Sequence, residues 1–195
     1  MFELETEKVF EVLSKYVNLQ STKDMIKICD KAYFEEHVNE FNYEDFYAAT
    51  VRLDNGSIYI IIHPDFYERN KQDQNFIILH ELIHAYSYRI INDEYVSGIY
   101  YAKNNKNPSL INMNESLTDL ITKMLYSEVF ENNPDSKLFK SLKEKLLSKI
   151  VGKKLSKEEF LKIYFVYPPE VFEEYLKNNF TKSSLNKKRS LIKKL

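Results

Sequence analysis

The chain has 195 residues and a formal net charge of −1 at pH 7. A hydrophobic content of 44% is enough to fill one core, and 14% aromatic residues exclude a disordered chain. We therefore expect a single domain over residues 1–195. With three glycines and five prolines, the chain should be mainly helical with few tight turns.

The sequence carries no targeting or membrane signal. No apolar run is long enough to cross a membrane, so no span is predicted. The N-terminus is acidic where a secretory signal would be basic and then apolar. A cytoplasmic location is expected, with secretion by a route without such a signal left open. Cys29 is the single cysteine, which excludes an internal disulfide and a cysteine-based zinc site.

Charge is distributed unevenly along the chain. Residues 181–195 carry six basic side chains and no acidic one, which leaves a net charge of −7 on residues 1–180. A basic tail of this kind can contact an acidic partner, anionic lipid, nucleic acid or the cleft of its own domain. Such a tail is more often a solvated terminus, and we do not expect nucleic acid as a partner.

The first half of the chain predicts helices followed by a hairpin. Apolar spacing favours a helix at 3–18, and a second helix is expected at about 22–38. The strands 47–53 and 57–62 flank an Asn55-Gly56 turn, whose residues tolerate the positive φ angles that a tight hairpin needs. Pro64 ends the second strand because proline cannot donate to a ladder.

The second half predicts helices separated by polar breaks. A helix is expected at about 73–91, a polar loop at 92–107, and a further helix at 108–126 that begins with proline in its first turn. The remaining predicted features are a break at 132–135, helices at 136–150 and 156–164, a proline corner at 167–169 and a last helix at 170–179.

The strongest motif lies in the helix predicted at 73–91. His80, Glu81 and His84 spell H-E-x-x-H within an apolar stretch. At positions i and i+4 the two imidazoles lie on one face of the helix, where both can bind a single Zn²⁺. Glu81 is rotated by about 100° from His80 and can reach a water activated by the metal. We therefore predict zinc as the cofactor and Glu81 as a catalytic base.

A catalytic zinc needs a third protein ligand, which this motif does not supply. No histidine follows His84, and His37 and His63 lie upstream. Glu115 is the better candidate, because Asp119 one turn later can accept the other ring N–H of a ligating histidine. The alternative is a structural role in which Glu115 is the capping partner of the residue three positions earlier and Asp119 a surface acid.

The two helical motifs resemble those of the gluzincin metallopeptidases, thermolysin-like enzymes in particular. His80-Glu-Leu-Ile-His84 is followed by Asn114-Glu-Ser-Leu-Thr-Asp119, and the gluzincin glutamate helix reads N-E-x-x-S/T-D. The first motif is also similar to that of the clostridial neurotoxin light chains. The spacing from His84 to Glu115 is longer than in thermolysin and nearer to that of the neurotoxins. The resemblance covers about residues 57–125.

The resemblance implies an α+β fold that is mainly helical and zincin-like. A small antiparallel sheet, with its hairpin at about 47–62, would lie over the H-E-x-x-H helix and a glutamate helix. The strand 57–62 would be the edge that holds an extended substrate, with Ile58, Ile60 and Ile62 facing one way and Tyr59 and Ile61 the other.

The implied activity is a zinc-dependent endopeptidase that hydrolyses peptide bonds. Tyr95, eleven residues after His84, lies about where thermolysin-like enzymes carry a tyrosine that stabilises the oxyanion. Other candidates for that role stay open: Tyr100, Tyr101, Tyr164, Tyr167 and His63. Two further functions also stay open. One is a non-catalytic zinc-binding regulatory protein on a peptidase scaffold, and the other is a narrow processing peptidase for one intracellular protein.

Overall fold

A computed structural model of the chain describes residues 2–37, 46–53, 55–101, 108–131 and 155–179. The described part is a mixed α+β structure with two three-stranded sheets. The helices are α1 (Phe2–Ser14), α2 (Lys31–His37), α3 (Lys71–Ser87), α4 (Pro108–Phe130), α5 (Lys157–Phe165) and α6 (Pro169–Asn179). The strands are β1 (Ile26–Cys29), β2 (Ala48–Arg52), β3 (Ile58–Ile62), β4 (Arg89–Ile91), β5 (Glu94–Ser97) and β6 (Tyr100–Tyr101).

The hairpin expectation is confirmed by β2 and β3. The two strands pair antiparallel with Arg52 opposite Ile58, and Gly56 in the turn has a φ of 89°. The expectation of one helix over 22–38 is wrong, because β1 occupies residues 26–29 and pairs parallel with β3. A lysine between two isoleucines suits a strand. Pairing with β1 also satisfies backbone groups of β3 that would lie on an open sheet edge if residues 22–38 formed a helix.

The order of the first sheet is β1-β3-β2, so β3 is the central strand. The expectation that residues 57–62 form a substrate-holding edge is therefore wrong, since both sides of that strand are already paired. The expected alternation does occur. Ile58, Ile60 and Ile62 belong to the main core, whereas Ile61 is buried outside that cluster. The outer edge nearest α3 belongs to β2, which packs directly on that helix.

The polar stretch 92–107 was expected to be a loop, and its described part, residues 92–101, contains two strands instead. The helix α3 ends at Ser87, and β4, β5 and β6 then form an antiparallel meander. The first turn uses Asn92 and Asp93, with φ angles of 51° and 62°. Asparagine and aspartate tolerate this left-handed region better than most residues, which allows a tight turn without glycine.

The helices enclose one buried apolar cluster together with the first sheet. The helix α3 contacts α1, α4, α5 and β2, and the core includes side chains from α1, α3, α4, α5 and α6. Ser156 and Glu159 form a reciprocal capping box at the start of α5. Within the described ranges, no helix is long and apolar enough to span a membrane. The predicted helix at 136–150, the break at 132–135 and the basic tail at 181–195 lie outside the described residues.

Candidate metal centre

The helix α3 carries the two histidines of the H-E-x-x-H motif. Its N-terminus is capped by Asn70, whose side chain accepts a hydrogen bond from the backbone N–H of Asp73 at 3.0 Å. Residues 81–87 of the helix are all buried, so packing holds this half of the helix in place. The rings of His80 and His84 lie one turn apart with their centroids separated by 4.8 Å.

The helix α4 packs against α3 and brings Glu115 to the same point. The His80 Nε2 atom lies 3.1 Å from His84 Nε2 and 3.2 Å from Glu115 Oε2. The His84 Nε2 atom lies 3.2 Å from Glu115 Oε1. These three side chains, which we call the metal triad, form a group that can hold a metal ion. The structure thus brings together the three ligands predicted from the sequence.

The size of the metal triad can be compared with a coordination shell. A tetrahedral site with bonds of about 2.0–2.1 Å has ligand atoms separated by about 3.3 Å. Measured to a single carboxylate oxygen, Glu115 Oε2, the three separations are 3.1, 3.2 and 3.3 Å, close to that value. Two imidazole nitrogens and one carboxylate oxygen are also a common donor set for a divalent metal ion. The residues present therefore fit a small metal ion held between α3 and α4.

Asp119 occupies the outer position expected from its spacing. Its Oδ1 atom lies 3.0 Å from His80 Nδ1, on the side of the ring away from the metal triad. Burial alone would lower the pKa of His80, but hydrogen bonds with Asp119 and Glu115 and the charge of Glu81 raise it to about 10. A hydrogen bond to Nδ1 fixes the ring orientation and directs Nε2 toward the metal triad.

The Glu115 side chain is 49% exposed, and it is held in its charged form. Burial of the carboxyl group would raise its pKa, but the charge of His84 and hydrogen bonds with His80 and His84 lower that pKa well below its ordinary value. An ionised carboxylate beside two imidazoles is the charge state that metal coordination requires.

Glu81 lies next to the metal triad and does not belong to it. Its side chain is 8% exposed, and the Thr50 hydroxyl donates to its Oε2 atom at 2.7 Å. Burial raises the pKa of Glu81, while the charges of His80 and His84 and the hydrogen bond from Thr50 limit that rise. A buried carboxylate that is positioned by a strand and left out of the ligand set is suited to proton transfer.

Two tyrosine hydroxyls interact electrostatically with acidic side chains of the centre. Burial raises the pKa of Tyr88, and the charge of Glu81 raises it further. Burial likewise raises the pKa of Tyr100, and the charge of Glu115 adds to that rise. Hydrogen bonding with Ser97 opposes both shifts. Both phenols are therefore protonated at neutral pH and can donate a hydrogen bond.

Tyr95, the tyrosine favoured from the sequence, lies on β5 and is 38% exposed. Its ring stacks on the guanidinium of Arg52, whose central carbon lies 3.6 Å from the ring centroid. The catalytic role predicted for Tyr95 stays a prediction.

The other open candidates have contacts of their own. The Nδ1 atom of His63 accepts from the backbone N–H of Asp65 at 3.1 Å, which caps the 3-10 turn at Pro64–Glu68. Tyr101 donates to Glu170, Tyr164 is buried against Thr118, and the Tyr167 carbonyl accepts from Arg89. These contacts are structural. The side chain of His37 lies outside the described residues.

Sequence reasoning missed a buried polar network behind the metal triad. The Ser87 hydroxyl donates to the His84 carbonyl at 2.8 Å and accepts from the backbone N–H of Gly98 at 3.0 Å. The Asn114 side chain accepts from the backbone N–H of Ile99 at 3.1 Å. These bonds fix the turn between β5 and β6 to both ligand-bearing helices. Asn114 belongs to the N-E motif, so the sequence offered a signal for its role. No sequence pattern indicated a role for Thr50 or Ser87.

A separate cavity of about 450 Å³ lies between the ends of α1 and α5. Its lining includes Phe10, Tyr16, Lys162 and Val166, and the residues described around it include no histidine, cysteine or acidic side chain. It therefore offers no donor set for a metal ion.

Comparisons of the chain with protein-family models, with curated proteins and with solved structures find no match. The resemblance to gluzincins therefore depends on the two helical motifs alone. A proposal about function has to be argued from the geometry of the site.

Proposed function

We propose that the protein is a zinc-dependent endopeptidase whose ligands are His80, His84 and Glu115. The observation that carries the proposal is the convergence of three donor atoms within 3.1–3.3 Å of one another, with buried Glu81 placed beside them. A structural zinc site usually closes with four protein ligands, whereas a catalytic site keeps one position free. Three ligands and an adjacent carboxylate therefore support catalysis.

Each side chain of the centre has a separate task in this proposal. When bound, zinc would supply Lewis-acid polarisation of a carbonyl group and would lower the pKa of a coordinated water to about 7. Glu81 accepts a proton as water adds to the peptide carbonyl, and it returns that proton to the amine nitrogen as the C–N bond breaks. Thr50 keeps the Glu81 carboxylate aligned, and Asp119 keeps His80 in the ligating tautomer.

A donor to the developing oxyanion is also needed, and two tyrosines are candidates. Burial raises the pKa of the Tyr100 hydroxyl and the charge of Glu115 adds to that rise, which supports Tyr100 as a candidate. Tyr95 stacks on Arg52 and keeps its expected role as a candidate. Tyr100→Phe is expected to lower the rate of hydrolysis more than Tyr95→Phe, because the charge of Glu115 acts on the Tyr100 hydroxyl, whereas the Tyr95 ring stacks on Arg52.

The substrate is proposed to lie along β2. Among the described residues no strand pairs with the outer edge of β2, and Thr50 of this strand contacts Glu81. An extended peptide can therefore pair with β2 through main-chain hydrogen bonds and cross the face of α3. A strand edge beside the H-E-x-x-H helix, with the glutamate helix packed on that helix, is consistent with the zincin-like fold that the proposal assumes.

The proposal is tested by hydrolysis of a degenerate fluorogenic peptide pool with zinc-loaded protein. Glu81→Gln should lower the rate by about 10²–10⁴ because the general base is lost, while the zinc content stays unchanged. The matched control is Glu68→Gln, which removes a carboxylate from an exposed position in the neighbouring 3-10 turn and should cleave like the wild type. Equal cleavage by Glu81→Gln and wild type would contradict the mechanism. A zinc-binding protein that cleaves no peptide would indicate the regulatory alternative.

A further inference from the structure

Arg52 lies on β2, two residues from Thr50. Side chains alternate along a strand, so Arg52 and Thr50 leave β2 on the same face, about 7 Å apart along the strand. The Thr50 hydroxyl contacts the Glu81 carboxylate at 2.7 Å. Arg52 therefore projects from the proposed substrate strand on the side of the catalytic carboxylate.

The ring of Tyr95 positions the guanidinium of Arg52. The central guanidinium carbon lies 3.6 Å from the ring centroid. Tyr95 shares a face of β5 with Ser97, which interacts with Tyr88 and Tyr100 beside the centre. The stack therefore lies on the face of β5 that carries Ser97. Stacking occupies the flat face of a guanidinium and leaves the N–H groups at its rim free to donate.

No acidic side chain within the described ranges forms an ion pair with Arg52. The charge of Arg52 acts on the Tyr88 hydroxyl. It lowers the pKa of this hydroxyl, whereas the charge of Glu81 raises the same pKa. The Arg52 side chain is half-buried, so its rim is accessible to a ligand. A planar, stacked cation with a free edge of donors matches a carboxylate, which accepts two parallel hydrogen bonds from arginine.

We propose that Arg52, stacked on Tyr95, binds a carboxylate group of the peptide substrate next to the bond that is cut. This inference depends on the proposed function for the identity of the ligand as a peptide. The carboxylate has two possible sources in a peptide, the free C-terminus and the side chain of an aspartate or glutamate. The same guanidinium can bind either, and the experiment distinguishes them.

The test uses a degenerate fluorescent peptide pool in three forms. The first form is amidated at the C-terminus and contains no acidic residue. The second has a free C-terminal carboxylate, and the third is amidated and carries one glutamate at a varied position. Binding is measured by fluorescence anisotropy on zinc-loaded Glu81→Gln protein, and hydrolysis is measured on the wild type.

One of the two acidic forms should bind about tenfold more tightly than the neutral form, as expected for one partly exposed charge-assisted pair. The preferred form identifies the source of the carboxylate. Arg52→Gln, made in the Glu81→Gln protein, should reduce the ratio between acidic and neutral forms to one. Arg52→Lys should keep only part of that ratio, because an ammonium group cannot form the bidentate pair.

A second stacked arginine provides the matched control. Arg69 lies over the ring of Tyr47 at 4.0 Å, and Tyr47 comes just before β2 begins at Ala48, at the opposite end of the strand from Arg52. Arg69→Gln removes the same charge from the same kind of stack and should leave the ratio unchanged. Tyr95→Phe should also keep the ratio, whereas Tyr95→Ala should lower it.

Equal binding of the three forms would overturn the inference, even if the wild type cleaves peptides. An unchanged ratio in the Arg52→Gln protein would overturn it as well. An Arg52-dependent preference in binding without any hydrolysis would support the carboxylate site and contradict the proposed peptidase. The two proposals can therefore fail separately.

Discussion

Among the described residues, Thr50 is the only strand residue whose side chain donates a hydrogen bond to the Glu81 carboxylate. A bond to the charged carboxylate lowers its pKa, so its loss should raise that pKa. Thr50→Val should lower kcat/KM about tenfold and move the acidic limb of the pH profile to higher pH. The measurement is kcat/KM against pH for this variant and wild type.

Thr50→Ser is the control for that experiment, because it keeps the hydroxyl group and removes one methyl group. It should retain both the wild-type rate and the wild-type acidic limb. If Thr50→Val follows the wild-type pH profile, the strand does not position the base, and the role assigned to Thr50 is wrong.

Metal binding should release a proton from His80. In the metal-free protein the pKa of His80 is raised from 6.5 to about 10 by Asp119 and Glu115. The ring is therefore protonated at pH 7 and has to lose that proton before Nε2 can ligate. Titration calorimetry with zinc in two buffers of different ionisation enthalpy should give about one proton released per metal ion. Zinc affinity should weaken as the pH falls.

The same shift has a consequence for stability without metal. A raised folded pKa stabilises the metal-free protein fully below about 6.5, and this contribution disappears as the pH rises through about 10. Asp119→Asn removes one cause of the shift, so it should release fewer protons and bind zinc about 10–100-fold more weakly. Zinc binding at pH 7 with no proton release would contradict this account of His80.

The turn between β5 and β6 connects the meander to α3 and α4, the two helices that carry the metal triad. Gly98 has a φ of 54°, and a Cβ atom placed there would lie 2.0 Å from Asn114 Oδ1 and 2.8 Å from the ring of Tyr164. Gly98→Ala should therefore displace Asn114, which precedes the ligand Glu115. We expect a loss of about 2–4 kcal/mol in unfolding free energy together with weaker zinc binding.

Gly56→Ala separates backbone strain from this clash. Gly56 also has a positive φ, of 89°, but a Cβ atom there would meet Arg52 at an ordinary 3.7 Å. This control should lose about 1 kcal/mol and bind zinc normally. Denaturant unfolding and zinc titration measure both quantities. Normal zinc binding by Gly98→Ala would show that the turn does not position Glu115.

Some elements could be predicted from the sequence and others could not. The pairs His80/His84 and Glu115/Asp119 follow the i, i+4 period, which is a local signal, and the Asn55-Gly56 hairpin is local too. The strand β1 has only four residues and is stabilised by parallel pairing with β3. Because β3 is distant in sequence, this pairing leaves no local signal. The contact of Thr50 with Glu81 joins a strand to a helix and likewise leaves no local pattern.

At the scale of the whole molecule, Arg89 joins the C-terminal helices to the part of the fold that carries the metal triad. This buried arginine donates to the carbonyl oxygens of Ser87, of Gly98 at 2.8 Å and of Tyr167 at 2.5 Å. It therefore links the end of α3, the meander and the corner between α5 and α6. Burial lowers the pKa of Arg89 to about 10, so the guanidinium keeps its charge at neutral pH.

The most direct test of the metal centre is the zinc content of purified wild type beside Glu115→Ala. Asn112→Ala is the control, because Asn112 is an exposed residue on the same helix as Glu115. We predict about one equivalent of zinc for wild type and Asn112→Ala, and much less for Glu115→Ala, since a site with two histidines alone lacks its third ligand. Wild-type protein that binds no zinc, or full zinc content in Glu115→Ala, would contradict the account.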